Sequence, residues 1–291
     1  MAVVAALPPA LPSDLQFSSS SSTTTHTIAK RTGHRRTLLD VFVNATSSGF
    51  FDIKVGNATL LRIYDNLAQA KFVSGLDYKH EEYGFLWYLS KIIPDFPFFT
   101  AAQDEDIVIT RNASASLISA YWKDQVEGDV TARNLAGGSQ GNKHLFIMNV
   151  SNSTPITTSE SYLFDRFDMP SGLSIMTDTK RVSANNRFTV YALAANVPKS
   201  GSSKTTRVHI FDEQIELFTS ENNEGLLVDP DVNNMLEFSL SPIKLFKLPT
   251  PYIIQPNRLL IMKGDALHDG TNNLPAGSQQ LFLIGVREFV T

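Results

Sequence analysis

From Thr37 onward, the hydrophobic positions form short runs and no long helical repeat. The runs are rich in Val, Ile, Phe, Tyr and Leu, and clusters of Gly, Pro, Asn, Asp and Ser separate them, which is typical of β-proteins. In the first half, the predicted strands are Leu38–Val43, Phe50–Val55, Thr59–Tyr64, Tyr83–Ile92, Ile107–Thr110, Ser116–Trp122 and Leu145–Val150. In the second half, they are Leu173–Met176, Arg187–Leu193, Arg207–Phe211, Gln214–Phe218, Leu236–Leu240, Ile243–Leu248, Arg258–Met262 and Gln280–Phe289.

Helical signals are few. Asn66–Phe72 and Glu160–Phe167 could each form one or two turns, but no window keeps the helical period over three turns. Parallel α/β sheets need long crossover helices, so the pattern predicts an all-β protein built from sandwiches or barrels.

About fifteen strands exceed the number in one eight-stranded jelly roll, so we expect two β-barrel or jelly-roll-like domains. The Gly/Asn/Ser-rich stretch 134–142 and the polar stretch 151–159 indicate a junction, and 198–206 a long exposed loop. The predicted organisation is an arm over 1–36, a base barrel over 37–150 and a second barrel over 151–291. The alternative is a turret barrel inserted within the base barrel.

The first 36 residues differ from the rest in composition. Prolines come first, then an unbroken polar run from Ser18 to Thr25, then the basic cluster Lys30, Arg31, Arg35 and Arg36. This segment carries a net charge of +3, whereas the remaining 255 residues carry -7. We expect an extended arm that either stays disordered or orders against an anionic surface or a partner subunit. Because no basic residues precede its apolar start and prolines interrupt it, we expect the segment to be retained.

Composition excludes several classes of site. The chain has no cysteine, which rules out disulfides, thiolate metal sites and a cysteine nucleophile. No apolar stretch approaches the roughly 18–20 residues of a membrane-spanning helix. The net charge of -7 outside the arm also disfavours nucleic-acid binding by the body of the protein.

The motifs that resemble catalytic or metal-binding sites lack the surrounding residues that such sites require. Gly137–Gly141 matches G-x-S-x-G, but no strand-to-helix turn surrounds it. The six histidines form no preformed metal face, and the chain has no nucleotide-binding glycine motif. Asp229, Asp231 and Asn233 resemble the start of a calcium loop whose later positions are wrong, and Asp104–Asp106 is a second acidic turn. We therefore predict no enzyme activity, cofactor, metal or small-molecule substrate.

Aromatic residues concentrate in two short segments. They are Phe85, Trp87, Tyr88, Phe96, Phe98 and Phe99. On an alternating strand at 83–88 both faces would be apolar, which indicates burial on both sides. Core packing is the first interpretation, and a carbohydrate-stacking platform or an intersubunit patch is the alternative. The proline-bound 94–99 segment is expected to wedge into a neighbouring surface.

Taken together, an all-β chain with a proline-bearing arm (MAVVAALPPALPSDLQF), no cysteine and no catalytic constellation resembles a viral coat subunit. More narrowly, the chain resembles the larger of the two major capsid proteins of tailless icosahedral phages of Thermus that carry an internal membrane. The resemblance implies single jelly-roll barrels standing vertical to the capsid surface, an outward turret barrel and a smaller capsid protein as partner. It also implies self-assembly with identical subunits and localisation in the virion.

In that reading, the basic cluster faces the anionic membrane beneath the shell or an acidic neighbour, with roughly 1 kcal/mol available per cation. A competing class is a carbohydrate- or receptor-binding β-sandwich of a phage fibre or spike. There Phe85, Trp87, Tyr88, Tyr121 and Trp122 would supply the stacking surface. Exposure of these rings separates the two classes, because a sugar-binding protein keeps at least one Trp accessible.

Overall fold

The computed structural model describes residues 15–44, 49–64, 85–126, 143–169, 175–177, 180–218, 225–231 and 245–290. The amino-terminal half contains β1 (Leu15–Ile28), β2 (His34–Asn44), β3 (Phe50–Val55), β4 (Ala58–Tyr64), α1 (Phe85–Ile92), β5 (Phe99–Ala101) and β6 (Ile107–Val126). The carboxyl-terminal half contains β7 (Lys143–Ser151), β8 (Ser161–Leu163), β9 (Arg166–Phe167), β10 (Asn186–Asn196), β11 (Lys204–Asp212), β12 (Ile215–Leu217), β13 (Leu226–Leu227), β14 (Phe246–Ile254), β15 (Leu260–Leu267) and β16 (Gln280–Phe289). The all-β prediction is confirmed.

The first sheet is organised around the long strand β6. Its order is β4-β3-β6-β2-β5, and every ladder is antiparallel. β3 pairs with the first residues of β6, and β2 pairs with the last, so these two strands share one edge of β6. β1 runs along the other edge of β6 over almost its whole length. The predicted strands Ile107–Thr110 and Ser116–Trp122 are therefore two parts of one element.

β1 and β6 bend sharply together. The ring nitrogens of the buried His26 lie 2.9 Å from Ser18 Oγ and 2.8 Å from Ser20 Oγ. Eight residues of straight strand would span about 26 Å, so the strand must fold over between these positions. The pairing register shifts between Thr23 and Thr25. On β6, Arg111 holds the corner by donating to the carbonyls of Ala113 and Ser114, both at 2.8 Å.

The carboxyl-terminal half is a double-sheet jelly roll. Its second sheet has the order β14-β10-β16-β7-β9, and its third sheet has the order β12-β11-β15-β8, with β13 also on β11. The chain alternates between the two sheets, except that the short strand β9 precedes β10 in the second sheet and that β12 and β13 follow β11 in the third. The first strand of the roll, β7, lies beside its last, β16. This is the two-Greek-key order of a jelly roll.

The second sheet is the middle layer of the molecule and is buried on both faces. One face of β7, β10 and β16 contributes Phe146, Phe188 and Leu283 to the core between the second and third sheets. The opposite face contributes Leu145 and Phe282, among others, to the core that also includes α1 and the first sheet. Burial on both faces explains why β7 and β16 are almost continuously apolar in sequence.

A glycine is required where β10 and β16 cross most closely. Gly285 lies opposite Val190 at a register shift in β10. A Cβ at position 285 would come within 1.9 Å of the carbonyl oxygen of Thr189. Because that neighbour is backbone, any side chain here would push the two strands of the middle layer apart.

The strand predicted at Tyr83–Ile92 is wrong, because the described part of this segment forms helix α1. Phe85, Leu86, Leu89 and Ile93 are buried on one side of the helix, at helical spacing. Aromatic content favoured a strand, but the burial of one helical face decided the conformation.

Other boundaries also differ from the predictions. The arm boundary at 36/37 falls inside β2, and the polar run Ser18–Thr25 belongs to β1, where backbone pairing with β6 orders it. The boundary at 150/151 falls at the end of β7, whose partners β9 and β16 lie in the second predicted domain. In place of helical turns, Glu160–Phe167 contains β8 and β9, and the exposed loop predicted at 198–206 includes the buried Ser203 and Thr205.

The predicted strand Leu236–Leu240 and the helical turn at 66–72 lie outside the described residues, as do the first two residues of Leu173–Met176.

Candidate functional site

The predicted basic cluster lies at the turn between β1 and β2, and the structure separates its members. Arg36 is buried, with 1% of its surface exposed. Its guanidinium donates to the carbonyls of Ile28 and Ala102, each at 3.3 Å, and to that of Glu105. Burial lowers the pKa of Arg36, and nearby carboxylates act in the opposite direction. Arg36 therefore fastens the β1–β2 turn to the 102–105 loop and is not available to an anionic surface.

The remaining cations stay at the surface of the turn. Arg31 Nη1 lies 2.5 Å from Asp124 Oδ2, and the Arg31 side chain is 58% exposed. His34 Nδ1 lies 2.9 Å from the other oxygen of the same carboxylate, without hydrogen-bond alignment. Lys30 is exposed and Arg35 is half-buried. Lys30, Arg31 and Arg35 thus form a small basic tip, which we call the β1–β2 tip.

The predicted aromatic cluster is mostly core. Phe85, Phe96 and Phe99 are buried in the core shared by the first sheet, α1 and the middle layer, and Phe98 packs against it. The rings of Phe96 and Phe98 meet edge-to-face at 4.7 Å. The predicted wedge into a neighbouring surface is therefore wrong for Phe96 and Phe99, which fill the protein's own interior. The side chains of Trp87 and Tyr88 lie outside the described residues.

A different aromatic group is accessible on the first sheet. The rings of Phe17 and Tyr121 lie 4.7 Å apart, and Phe42 contacts Tyr121 at 5.7 Å. Phe17 is 49% exposed. Trp122, on the neighbouring position of β6, packs against the core. Sequence reasoning missed Phe17 and Phe42, because only register brings β1, β6 and β2 side by side.

A groove opens where the outer face of the middle layer is not covered by the first sheet. It has a volume of about 430 Å³, and residues 94–97 after α1 form one wall. Thr189, Tyr191 and Ile253 lie on its floor. Arg187, Glu288 and Lys143, which are neighbours across β10, β16 and β7, also line it, and Arg187 is ion-paired to Glu288. Burial raises the pKa of Tyr191, and the charge of Asp95 adds to this effect.

The acidic turn that resembles the start of a calcium loop is engaged by lysines. Lys204 Nζ lies 2.7 Å from both carboxylate oxygens of Asp229 and 2.8 Å from Asp231. Lys199 also pairs with Asp231. Two ammonium groups thus occupy the places where a cation would bind, and Asn233 lies outside the described residues. Across the described ranges, no three His, Asp or Glu side chains are grouped as metal ligands.

The second acidic turn, Asp104–Asp106, supports the β1–β2 turn. Asp106 Oδ1 accepts the backbone N–H of Lys30 at 2.6 Å, and Glu105 Oε2 accepts that of Ala102 at 3.0 Å. These carboxylates therefore serve to order loops. The G-x-S-x-G segment lies outside the described residues.

The third sheet carries a histidine between two carboxylates on its outer face. His209 Nδ1 lies 2.5 Å from Glu216 Oε1, and its Nε2 lies 2.9 Å from Asp265 Oδ2. Burial lowers the pKa of His209, but the hydrogen bonds and charges of the two carboxylates outweigh it, so the pKa is raised overall. Asp212, three residues from His209 in sequence, is not its partner and instead accepts hydrogen bonds from Tyr252 and Arg258.

No helix in the described ranges is long and apolar enough to cross a bilayer. No protein-family model matches the chain, and no curated protein matches it in sequence. Among solved structures, the chain is similar to the major capsid protein P2 from bacteriophage PM2, with 9% sequence identity and a TM-score of 0.45. The alignment covers 95% of this chain and 98% of that chain.

Proposed function

We propose that the protein is a non-enzymatic structural subunit of a viral coat. The observation that carries the proposal is the jelly roll, whose middle sheet is also buried against a second β-layer. Double-sheet jelly rolls occur in viral capsid and lectin domains. Of the rings nominated for sugar stacking, Phe85 is a core residue and Trp122 packs against the core, which favours the coat.

In the finer form of the proposal, the subunit assembles with identical copies and a smaller capsid protein into an icosahedral shell over an internal membrane. The protein would then be located in the virion. Such a subunit acts through many contacts that are individually weak and add up when the lattice closes.

The β1–β2 tip is the part of the basic cluster that can meet an anionic membrane or an acidic neighbour. With Arg36 buried, the contact would use Lys30, Arg31 and Arg35. Cations near an anionic lipid surface each contribute roughly 1 kcal/mol, and salt screens this attraction.

The test compares the purified wild type with a Lys30→Gln/Arg31→Gln/Arg35→Gln variant. Light scattering and electron microscopy would follow assembly alone and with zwitterionic or anionic vesicles, at low and high salt. The control, Lys91→Gln/Arg166→Gln/Lys247→Gln, removes three exposed cations elsewhere. We expect rings, sheets or shells from the wild type and the control, and loss of salt-sensitive vesicle binding only in the tip variant. A wild type that stays a small oligomer under all conditions would contradict the coat function.

A second candidate, a carbohydrate- or receptor-binding module, is favoured by the groove on the middle layer. Its volume lies within the range of small-ligand sites, and an aromatic ring, a hydroxyl and charged groups line it. Nuclear magnetic resonance titration with a panel of glycans would test it. Shifts confined to groove residues, and absent in Tyr191→Ala, would support this function.

A further inference from the structure

Among the described strands, β1 is a long edge strand. It pairs with β6, and no other described strand pairs with it. From Leu15 to Ser21 the pairing with Lys123–Leu117 is continuous, and the irregularity comes only later, between Thr23 and Thr25. The first seven residues of β1 therefore present a regular backbone edge, whose outward N–H and C=O groups can pair with another strand.

This edge lacks the features by which proteins usually prevent strand addition. Exposed edges are commonly guarded by lysines and prolines. β14, whose one partner among the described strands is β10, has Lys247, Pro249 and Pro251. β1 has the sequence LQFSSSSSTTTHTI, with no proline, lysine, arginine or acidic residue, and burial lowers the pKa of its one histidine, His26. β14 therefore carries residues that prevent strand addition, whereas β1 does not.

Apolar surface lies beside the open edge. Phe17 stands 49% exposed on β1, in contact with Tyr121 on β6, and Phe42 on β2 continues the aromatic row. Accessible aromatic groups are enriched where two proteins meet. A strand added to β1 would extend the sheet directly next to Phe17.

We propose that the Leu15–Ser21 edge pairs, antiparallel and about a two-fold axis, with the same edge of a second copy of this chain. The uncharged sequence makes the second copy a suitable partner, because no like charges would face each other across the axis. A two-fold contact uses one patch twice, and the repeated serines place small hydroxyl side chains opposite one another.

The inference rests on the proposed coat function in one respect, since contacts between identical copies are what that function requires. It names β1 as the element that forms one such contact. The two proposals can fail separately, because a coat can assemble without using β1.

The first experiment makes the edge repulsive. Ser19 and Ser21 are exposed, and Ser19→Lys/Ser21→Lys would bring lysines of the two copies together. Sedimentation velocity of the full chain would give the dimer Kd, with Thr157→Lys/Thr158→Lys as the control for two added charges at exposed positions. We expect the edge variant to weaken the dimer about tenfold or more. We expect the control to leave the dimer unchanged.

Mixing two oppositely charged variants distinguishes charge repulsion at the edge from misfolding of a variant. Ser19→Glu/Ser21→Glu is also expected to weaken its own dimer, and an equimolar mixture with the lysine variant should restore dimerisation by opposite charge. A wild type that is monomeric at all concentrations would overturn the inference. So would an edge variant that dimerises or assembles like the wild type, an outcome that leaves the coat function standing.

The absence of cysteine allows a second, independent test. Single cysteines at positions 18–21 would be the only thiols in the chain, and Thr158→Cys is the control. A short bismaleimide should link two copies through one or more of the β1 positions and not through position 158. Equal linking at all positions would mean random collision and would overturn the proposed contact.

Discussion

His209 shows how charge is arranged at single positions on the exposed face of the jelly roll. Both ring nitrogens face carboxylate oxygens, which accept hydrogen bonds and cannot donate them when ionised. Only the doubly protonated ring can donate to Glu216 and Asp265 at once. Asp265 also accepts from Ser161 at 2.6 Å, so the group joins β12, β11, β15 and β8. The imidazolium therefore acts as a crosslink between strands that are distant in sequence.

The raised pKa predicts a definite pH dependence. A group whose pKa is higher in the folded state stabilises fully below its unfolded pKa, near 6.5, and loses this contribution as pH rises through the folded pKa. His209→Gln should therefore cost about 1 kcal/mol of unfolding free energy at pH 5.5 and little at pH 9. Urea unfolding of both proteins across this range measures the difference.

Comparison with the variant is essential, because burial lowers the pKa of His26 and His144 and gives the opposite pH dependence. Parallel stability curves for wild type and His209→Gln would contradict the crosslink.

At the residue scale, the sequence predicts the chemical type of a side chain but not which residues it contacts. Arg36 and Lys30 look alike in the basic cluster, yet one is buried against carbonyls and the other is exposed. The sequence identified Asp229 as part of an acidic turn, but only the structure places Lys204, 25 residues away in sequence, beside it. Partner choice depends on which strands are neighbours, and the sequence does not state that directly.

The elements whose boundaries follow from pattern are apolar runs, whether their burial alternates, as in β3, or is nearly continuous, as in β16. The predicted Phe50–Val55 and Gln280–Phe289 are β3 and β16, and both are rich in β-branched and aromatic residues. β1 was missed because a serine and threonine strand carries no hydrophobic period. α1 was misassigned because its aromatic residues resemble a strand.

Helix α1 depends on a carboxylate from a neighbouring strand. Asp40 is 5% exposed, and its Oδ1 accepts the N–H of Leu86 at 3.2 Å and that of Val41 at 2.9 Å. It follows a register shift in β2 between Leu38 and Asp40. Asp40 thus supplies a negative charge and an acceptor to the first turn of the helix, where N–H groups lack helical partners.

Replacing Asp40 tests this arrangement. Asp40→Ala should lower the free energy of unfolding by about 1–2 kcal/mol, because it removes the acceptor from the helix start. Asp40→Asn keeps an acceptor and should cost less. Denaturant unfolding measures both, and equal effects of the two variants would show that the hydrogen bonds to Leu86 and Val41 are unimportant.

At the scale of the whole molecule, the two cores share one sheet. Leu145 and Phe146 are adjacent on β7, yet they belong to different cores. The ion pairs of Arg62 also join the layers, since it binds Asp52 at 2.8 Å on β3 and Asp168 at 3.5 Å beyond β9. Neither core can be exposed without uncovering a face of the middle layer.

We therefore expect the chain to unfold in a single cooperative transition. Loss of the first sheet would expose an apolar face of β7, β10 and β16, which disfavours a half-folded state. Differential scanning calorimetry and urea unfolding followed by two probes would measure it. Two separated transitions would mean that the halves fold independently, as a tandem pair of barrels would.

The sequence by itself determined the strand-rich class, most strand positions and the chemistry that is missing from its composition, because these depend on local propensity and residue type. The tertiary structure alone decided that β7 closes the jelly roll with β16, that one sheet serves two cores and that Arg36 is buried. Strand pairing joins residues as far apart as Gln280 and Ser151 through backbone groups that every residue has. Strand register and the order of the layers therefore depend on which residues are buried across the whole chain. A local sequence pattern does not carry that information.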